Sequence, residues 1–384
     1  MARVAAQLSN FTAGELSPRL DGRNDLAKYS AGCATVENMV IYPHGAAARR
    51  PGTTFIAEVK NSAKSTRLIP FEFSTTQTYV LEFSDQIIRF YKDNGQIQSS
   101  GSPYEISSPY LEAELFDIKF AQSADIMYIT HPSHKTRTLS RTGHTSWTLT
   151  DVDFTKGPMQ DANTTATTLN PGQSAVGTGI ALVASAVTGI NGGSGFLSTD
   201  VGRFVFLSDG YAKITGVTDT TNAVMTIITA LDSASATANW QLGAFSDTTG
   251  HPSCVTFFEQ RLVFAGTTNQ PQTIFFSRSG DYENMDANIG GTVADDDAII
   301  YTIASNQVNA IRFMTATRTL IIGTAGGEFT VSGGGTDSAV TPTNILIKKQ
   351  SNHGSANVDA IAVGNATLFL QRAKRKIREL AYNF

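Results

Sequence analysis

Val255-Thr256-Phe257-Phe258-Glu259-Gln260-Arg261-Leu262-Val263-Phe264 reads as two apolar strands joined by a short polar turn. A strand with one wet face alternates apolar and polar residues. Leu262-Val263-Phe264 does not alternate, so both of its faces must be covered by other sheets. The same hairpin recurs. Ile69-Pro70-Phe71-Glu72-Phe73 is followed by Tyr79-Val80-Leu81-Glu82-Phe83, and Ile118-Lys119-Phe120 by Ile126-Met127-Tyr128-Ile129. Ile311-Arg312-Phe313 leads to Leu320-Ile321-Ile322, and Ile361-Ala362-Val363 to Leu368-Phe369-Leu370. Anchored on Phe73, Phe120, Phe257, Phe313 and Val363, the intervals are 47, 137, 56 and 50 residues. Removing the 94 residues from 156 to 249 shortens the odd interval to 43 and makes the series nearly regular. Strand hairpins repeating at about 40–50 residues are the signature of β-propeller blades.

Composition agrees with a mainly β chain. Charged residues are 16% of the 384, against about 25% in an average domain, and there are 33 glycines, which favours short strands and tight turns over charged helices. A net charge of −4 supplies no global basic field to draw nucleic acid. Cys33 and Cys254 have no CxxC or metal-type spacing and are expected to be free, buried thiols. The first residues are too short and too interrupted for a secretion signal, and no run reaches the roughly 18–20 apolar residues of a spanning helix. The expectation is a chain soluble when made, without direct membrane insertion.

The organisation follows. Residues 1–60 carry loop punctuation and are expected to form an extended arm with one short helix over about Asp25–Tyr42, where Leu26, Tyr29, Cys33, Val36 and Val40 are spaced by three or four. Residues 61–155 hold the first blades. The Thr-, Ala-, Gly- and Ser-rich stretch 156–249 reads as an inserted β-barrel or sandwich, with Ser208-Asp209-Gly210 as its hairpin turn. Residues 250–384 hold further blades, and the apolar ending Ala381-Tyr382-Asn383-Phe384 suggests a propeller continued elsewhere.

Chemistry-bearing groups are sparse. His131, His134 and His144 could in principle ligate zinc, but His131-Pro132-Ser133-His134 has the residue types of a turn and its unit has no carboxylate at metal-site spacing. Asp295-Asp296-Asp297 could hold a hard cation, though three adjacent side chains diverge from a strand, which favours a solvated loop. Gly323-Thr324-Ala325-Gly326-Gly327-Glu328 lacks the Lys-Ser/Thr ending of a phosphate loop and reads as a turn. The densest basic cluster is Arg372, Lys374, Arg375, Lys376 and Arg378, a candidate interface together with Arg49 and Arg50. No catalytic residue, metal site or cofactor is assigned.

Several strings resemble the tail nozzle (tail tubular protein B) family of short-tailed bacteriophages. They are Asn10-Phe11-Thr12-Ala13-Gly14-Glu15-Leu16-Ser17-Pro18-Arg19-Leu20-Asp21-Gly22-Arg23, then Tyr29, Asn38 and Arg49-Arg50-Pro51-Gly52-Thr53. Later come Trp240 to Ser246, Phe257 to Thr267 with Arg261 and Phe264, and Ser277-Arg278-Ser279-Gly280-Asp281-Tyr282. The resemblance implies a structural, non-enzymatic virion protein. It would form a hexameric ring below the tail adaptor, with tail fibre or tip proteins as neighbours and double-stranded DNA passing through without tight binding. It would reside in the phage tail, and in the host cytoplasm during assembly. Such proteins are usually longer than 384 residues. From another class, propellers also serve as carbohydrate-binding or depolymerising phage receptor-binding proteins. A glycosidase needs two facing carboxylates, and Glu82, Glu259 and Glu328 sit at or beside repeat strands, where a structural role is expected. A cellular protein-interaction propeller is the third option, and the strings lack WD or kelch character.

Overall fold

The computed structural model describes residues 8–304, 309–335 and 338–381, so of the apolar ending only Ala381 lies within the described residues. The chain divides into two compact units, Met1–Ala57 and Glu58–Phe384.

The first unit is tied by two small ladders. Gly14–Glu15 pairs in parallel with Gly32–Cys33, and Met39–Ile41 pairs antiparallel with Ala47–Arg49. The helix expected over Asp25–Tyr42 does not form; a single 3-10 turn, Tyr29–Ala31, stands in its place. The reason is local. Gly32, Thr35 and Asn38 are poor helix residues, Asn38 sits at φ 56 in the left-handed region, and Leu26, Tyr29, Cys33 and Val36 are only half-buried, so no core rewards a helical stripe.

The second unit is built from antiparallel meanders in chain order. Blade one runs Arg67–Ser74, Gln77–Ser84, Ile87–Lys92 and Glu105–Ser107. Blade two runs Lys119–Ser123, Ile126–His131, His134–Gly143 and Ser146–Asp151. Blade three runs Cys254–Phe258, Arg261–Ala265, Thr273–Phe276 and Ile299–Thr302. Blade four runs Ile311–Ala316, Leu320–Thr324, Gly327–Gly333 and Ile345–Ser351. Blade five has three strands, Ile361–Val363, Ala366–Leu370 and Ile377–Ala381. All five hairpins read from the sequence are present as antiparallel pairs, those of blades one and four with a register shift at Glu72/Ser74 and Ile311/Phe313. The first strands of blades two, three and four lie side by side, as propeller strands do around an axis.

The apolar layers lie between blades, and successive residues of one strand serve different layers. Met127 and Ile129 pack with Phe71, Leu81, Phe90 and Trp147 between blades one and two. Tyr128, pointing the other way, joins Leu262, Phe264 and Phe275 between blades two and three. Val263, Ala265 and Phe276 meet Ile311, Leu320 and Ile322 between three and four, and Ile321 with Phe313 meets Phe369 of blade five. Leu262-Val263-Phe264 is apolar throughout because each residue faces one neighbouring sheet or the other. Its turn is tight: Phe258 pairs with Arg261, and Glu259 and Gln260 adopt φ 46 and 59, as a two-residue type I′ loop requires.

Between blades two and three stands a six-stranded sheet. Its strands are Leu169–Pro171, Gly177–Ala184, Phe204–Leu207, Gly210–Val217, Asn222–Thr229 and Trp240–Leu242. The sheet curls on itself: Leu169, on one edge strand, exchanges both backbone hydrogen bonds with Thr237, just before the other edge strand, at 2.9 Å each. Val205, Leu207, Ile214, Met225, Ile227 and Trp240 fill the inside, so the insertion is a small, curled half-barrel. The residues between them on the strand, Phe204 and Phe206, face outward with Tyr211 against Met159 and the partly buried Phe154 and Ile289. Arg203, fully buried, anchors the barrel entrance by bonding the Gly243 carbonyl (2.8 Å), Asp200 (2.9 Å), Asn191 (2.7 Å) and Gln160 (2.7 Å). No helix among the described residues is long and apolar enough to cross a membrane.

Asp286 clamps the barrel to the blade-three loop. It accepts Lys156 Nζ at 2.6 Å, the Tyr211 hydroxyl at 2.8 Å and the Asn288 amide at 2.9 Å. Burial alone would raise this carboxyl, but the three donors outweigh it and hold it below the usual Asp range. Its contribution is therefore present above the ordinary Asp pKa and is lost as pH falls through the lowered folded value. Asp286→Asn should cost about 1–3 kcal/mol at pH 7, with the gap to the parent shrinking in acid; urea melts across pH check this, and a pH-independent gap would contradict it. In the blade stack, Phe264→Ala should cost about 3–5 kcal/mol by the same melts, and a loss under about 1 kcal/mol would mean the layer is not packed as described.

Candidate functional site

Every interior blade is covered on both faces, but the stack has two ends. Blade one buries Ile69 and Phe71 and leaves Leu68 63% and Val80 41% exposed. Blade five buries Phe369 and leaves Ile361 65% and Ile377 73% exposed. These large apolar side chains lie exposed on strand faces of the kind that, in the interior blades, meet another blade. The basic cluster stands beside the second of these. Arg372, Lys374, Arg375 and Lys376 lie exposed on the turn between the last two strands, with Lys374 at φ 57. Arg372 borders a cleft of about 620 Å³ shared with Lys349 and His353. Blade five is held to blade two by Lys119 Nζ to Asp359 at 2.6 Å and Asn357 to Asp117 at 2.8 Å.

The residues that carried the family resemblance turn out to organise backbone. In the first unit Glu15 accepts the Val36 amide (2.9 Å), and the Tyr29 hydroxyl accepts the Gly22 amide (3.0 Å). The Phe11 amide donates to the Gly45 carbonyl (2.9 Å), and that of Asp21 to the Pro18 carbonyl (3.2 Å). Asn38 Oδ1 accepts Arg50 Nε at 2.7 Å on the surface, and Arg49, Arg50, Pro51 and Gly52 are all exposed. In the second unit the buried Arg261 guanidinium gathers the carbonyls of Ser277 (2.7 Å), Asp297 (2.6 Å) and Asp295 (2.6 Å), and burial pulls its pKa down. Asp281 bridges Arg278, and Tyr282 packs edge-on to Phe257 at 5.1 Å.

That arrangement corrects one expectation. Asp295-Asp296-Asp297 is not a uniformly solvated loop: Asp297 is buried, accepts the Ala294 amide at 2.7 Å and lies 3.3 Å from Arg278, which also holds Asp296 at 2.6 Å. The sequence hid this because the partner arginines lie 17 to 36 positions upstream. Glu82, Glu259 and Glu328 are each engaged locally, by the Tyr91 hydroxyl, the Val340 amide (2.6 Å) and the Ser355 hydroxyl (2.7 Å). Gly323 to Glu328 is the hairpin turn of blade four.

The three histidines separate. His144 Nδ1 contacts the Tyr79 hydroxyl at 2.7 Å, away from the other two. His131 and His134 form the terminal cross-strand pair of a hairpin, rings 5.0 Å apart, and His134 Nε2 meets Glu114 Oε2 at 2.8 Å. Glu114 comes from the 3-10 segment Glu112–Asp117, just upstream of the repeat unit. Burial, and then His134, lower the pKa of His131. Burial would raise Glu114, but the Leu111 amide and His134 hold it below the usual carboxylate range.

No family model and no curated protein matches the chain. Solved structures with some likeness include BBS1N in complex with ARL6DN (9% identity, 77% of this chain and 72% of that one, TM-score 0.28). Others are YCF48 bound to D1 peptide (9%, 83% and 93%, TM-score 0.24) and the phage phi92 endosialidase (11%, 76% and 45%, TM-score 0.25). With scores this low, the fold rests on the strand order and registers described above.

If the end faces are solvent-exposed surfaces and not parts of the core, Leu68→Asp and the pair Ile361→Asp/Ile377→Asp should change stability by no more than about 0.5 kcal/mol while reducing binding of an apolar dye. Losses above about 1 kcal/mol would show the faces to be packed.

Proposed function

We propose that the chain is a structural subunit of a phage tail, forming the nozzle ring through which the genome leaves. The observation that carries this reading is the pair of apolar end faces, which suit a subunit completed by neighbouring material. The family-like strings support it, since their residues brace turns and loops and not a reaction centre. The discrete Met1–Ala57 unit suits an attachment to the adaptor or to a neighbouring copy.

Under this reading the protein is no enzyme, and it needs no cofactor. Six copies would surround the tail axis, next to the adaptor above and fibre or tip proteins below. A mildly acidic chain, net −4, repels phosphates, so duplex DNA would slide through with little affinity. Arg49, Arg50 and the Arg372–Lys376 turn would meet acidic patches of protein neighbours.

Deleting residues 1–57 tests the division of labour. The remaining 58–384 unit should fold and melt as a monomer, and electron microscopy of tails carrying the deletion should show no nozzle. Normal short tails with the deletion in place would contradict the proposal. Cleavage or tight binding of a host polysaccharide by the purified full chain, with no ring, would favour the receptor-binding reading instead.

A further inference from the structure

We propose that Glu114, His131 and His134 form a binding site for a divalent transition metal, with zinc the cation that best fits two imidazoles and one carboxylate. One ligand atom from each residue lies within 4.8 Å of the others, so small side-chain shifts bring them to a common centre. The scaffold is constrained. His131 and His134 are separated only by Pro132-Ser133 and pair across the hairpin, which fixes both rings on one side of the sheet. Glu114 is held independently, its Oε2 accepting the Leu111 amide at 2.8 Å, and no hydrogen bond to its Oε1 is seen among the described residues.

A second observation points to the same place. The Tyr110 hydroxyl is buried and has no hydrogen-bond partner, and the Tyr110 ring touches both imidazoles, at 6.1 Å from His131 and 5.2 Å from His134. A buried orphan hydroxyl is costly, and a water completing the coordination of a three-ligand metal would be one partner for it. Ligation rearranges the local hydrogen bonds. The Ser133 amide donates to His131 Nδ1 at 3.2 Å; binding through Nε2 moves the ring proton to Nδ1 and forfeits that long contact. His134 gives up its Nε2 proton, now shared with Glu114, to solvent or to Nδ1. The metal would then rivet the segment leading into blade two to the hairpin of the same blade.

The test is calorimetric titration of zinc chloride into chelator-stripped full-length protein, with Glu114→Gln and His134→Gln as variants and circular dichroism as the check on folding. One-to-one uptake weakened at least about 100-fold in each variant, and about tenfold in Tyr110→Phe, is expected. A second readout needs no variant: zinc should protect His134 of the parent from acylation by diethyl pyrocarbonate while leaving the exposed His44 and His353 reactive. Absence of one-to-one uptake, equal uptake in parent and variants, or uptake without protection of His134 would each overturn the proposal.

Discussion

A strand with two apolar faces has to be sandwiched, and the arrangement of the second unit follows from that constraint. Leu262 and Phe264 look to blade two while Val263 looks to blade four, so no blade can be removed without exposing the layer of the next. A stack of such sheets bends around the first strands because twisted sheets cannot lie flat on one another. Unless it closes, it presents an unpaired apolar face at each end, here marked by Leu68 and Ile361. The ends are thus a consequence of the same sequence pattern that makes the core.

The insertion obeys a different rule. Its strands alternate in burial, as in Asn222–Thr229, because the curled sheet has one interior; Phe204-Val205-Phe206-Leu207 is the exception, buried on both faces where the sheet meets the blade-three loop. The outward aromatics and the Asp286–Lys156–Tyr211 cluster then join it to the blade-three loop, so the module is distinct in topology yet shares one compact unit with the blades. Buried charges are handled locally throughout: Arg203 by Asp200, Arg261 by backbone carbonyls, Asp297 by Arg278. Each would be costly alone, and each holds a loop in place.

The strand pairs were legible in the sequence because their period and their two-faced apolar texture are local properties; the Ser208-Asp209-Gly210 turn was legible from its Asp-Gly signal, but the two loop residues at positive φ are Ser208 and Asp209, and Gly210 already pairs with Leu207. The first unit misled because Leu26, Tyr29, Cys33 and Val36 have helical spacing without a core to receive it. The Glu114–His131–His134 grouping was half visible: the His pair is a sequence feature, but the carboxylate arrives from a segment outside the repeat unit, and only the packed structure brings it within 2.8 Å. The proposed interface role of the Arg372–Lys376 cluster shows in the sequence only as charge, since a partner's surface is not encoded in this chain. The same holds for the end faces, whose exposure depends on which blades are present.

In the proposed tail subunit the end faces are open in the isolated chain and become covered on assembly. Hydrogen–deuterium exchange of the purified protein and of assembled tails measures this directly. The account predicts that Arg261–Ala265 and Leu320–Thr324 are slow in both states, whereas Arg67–Ser74 and the three strands of blade five exchange faster in the isolated chain and slow markedly in the tail. Equal protection of those edge strands in both states would contradict it.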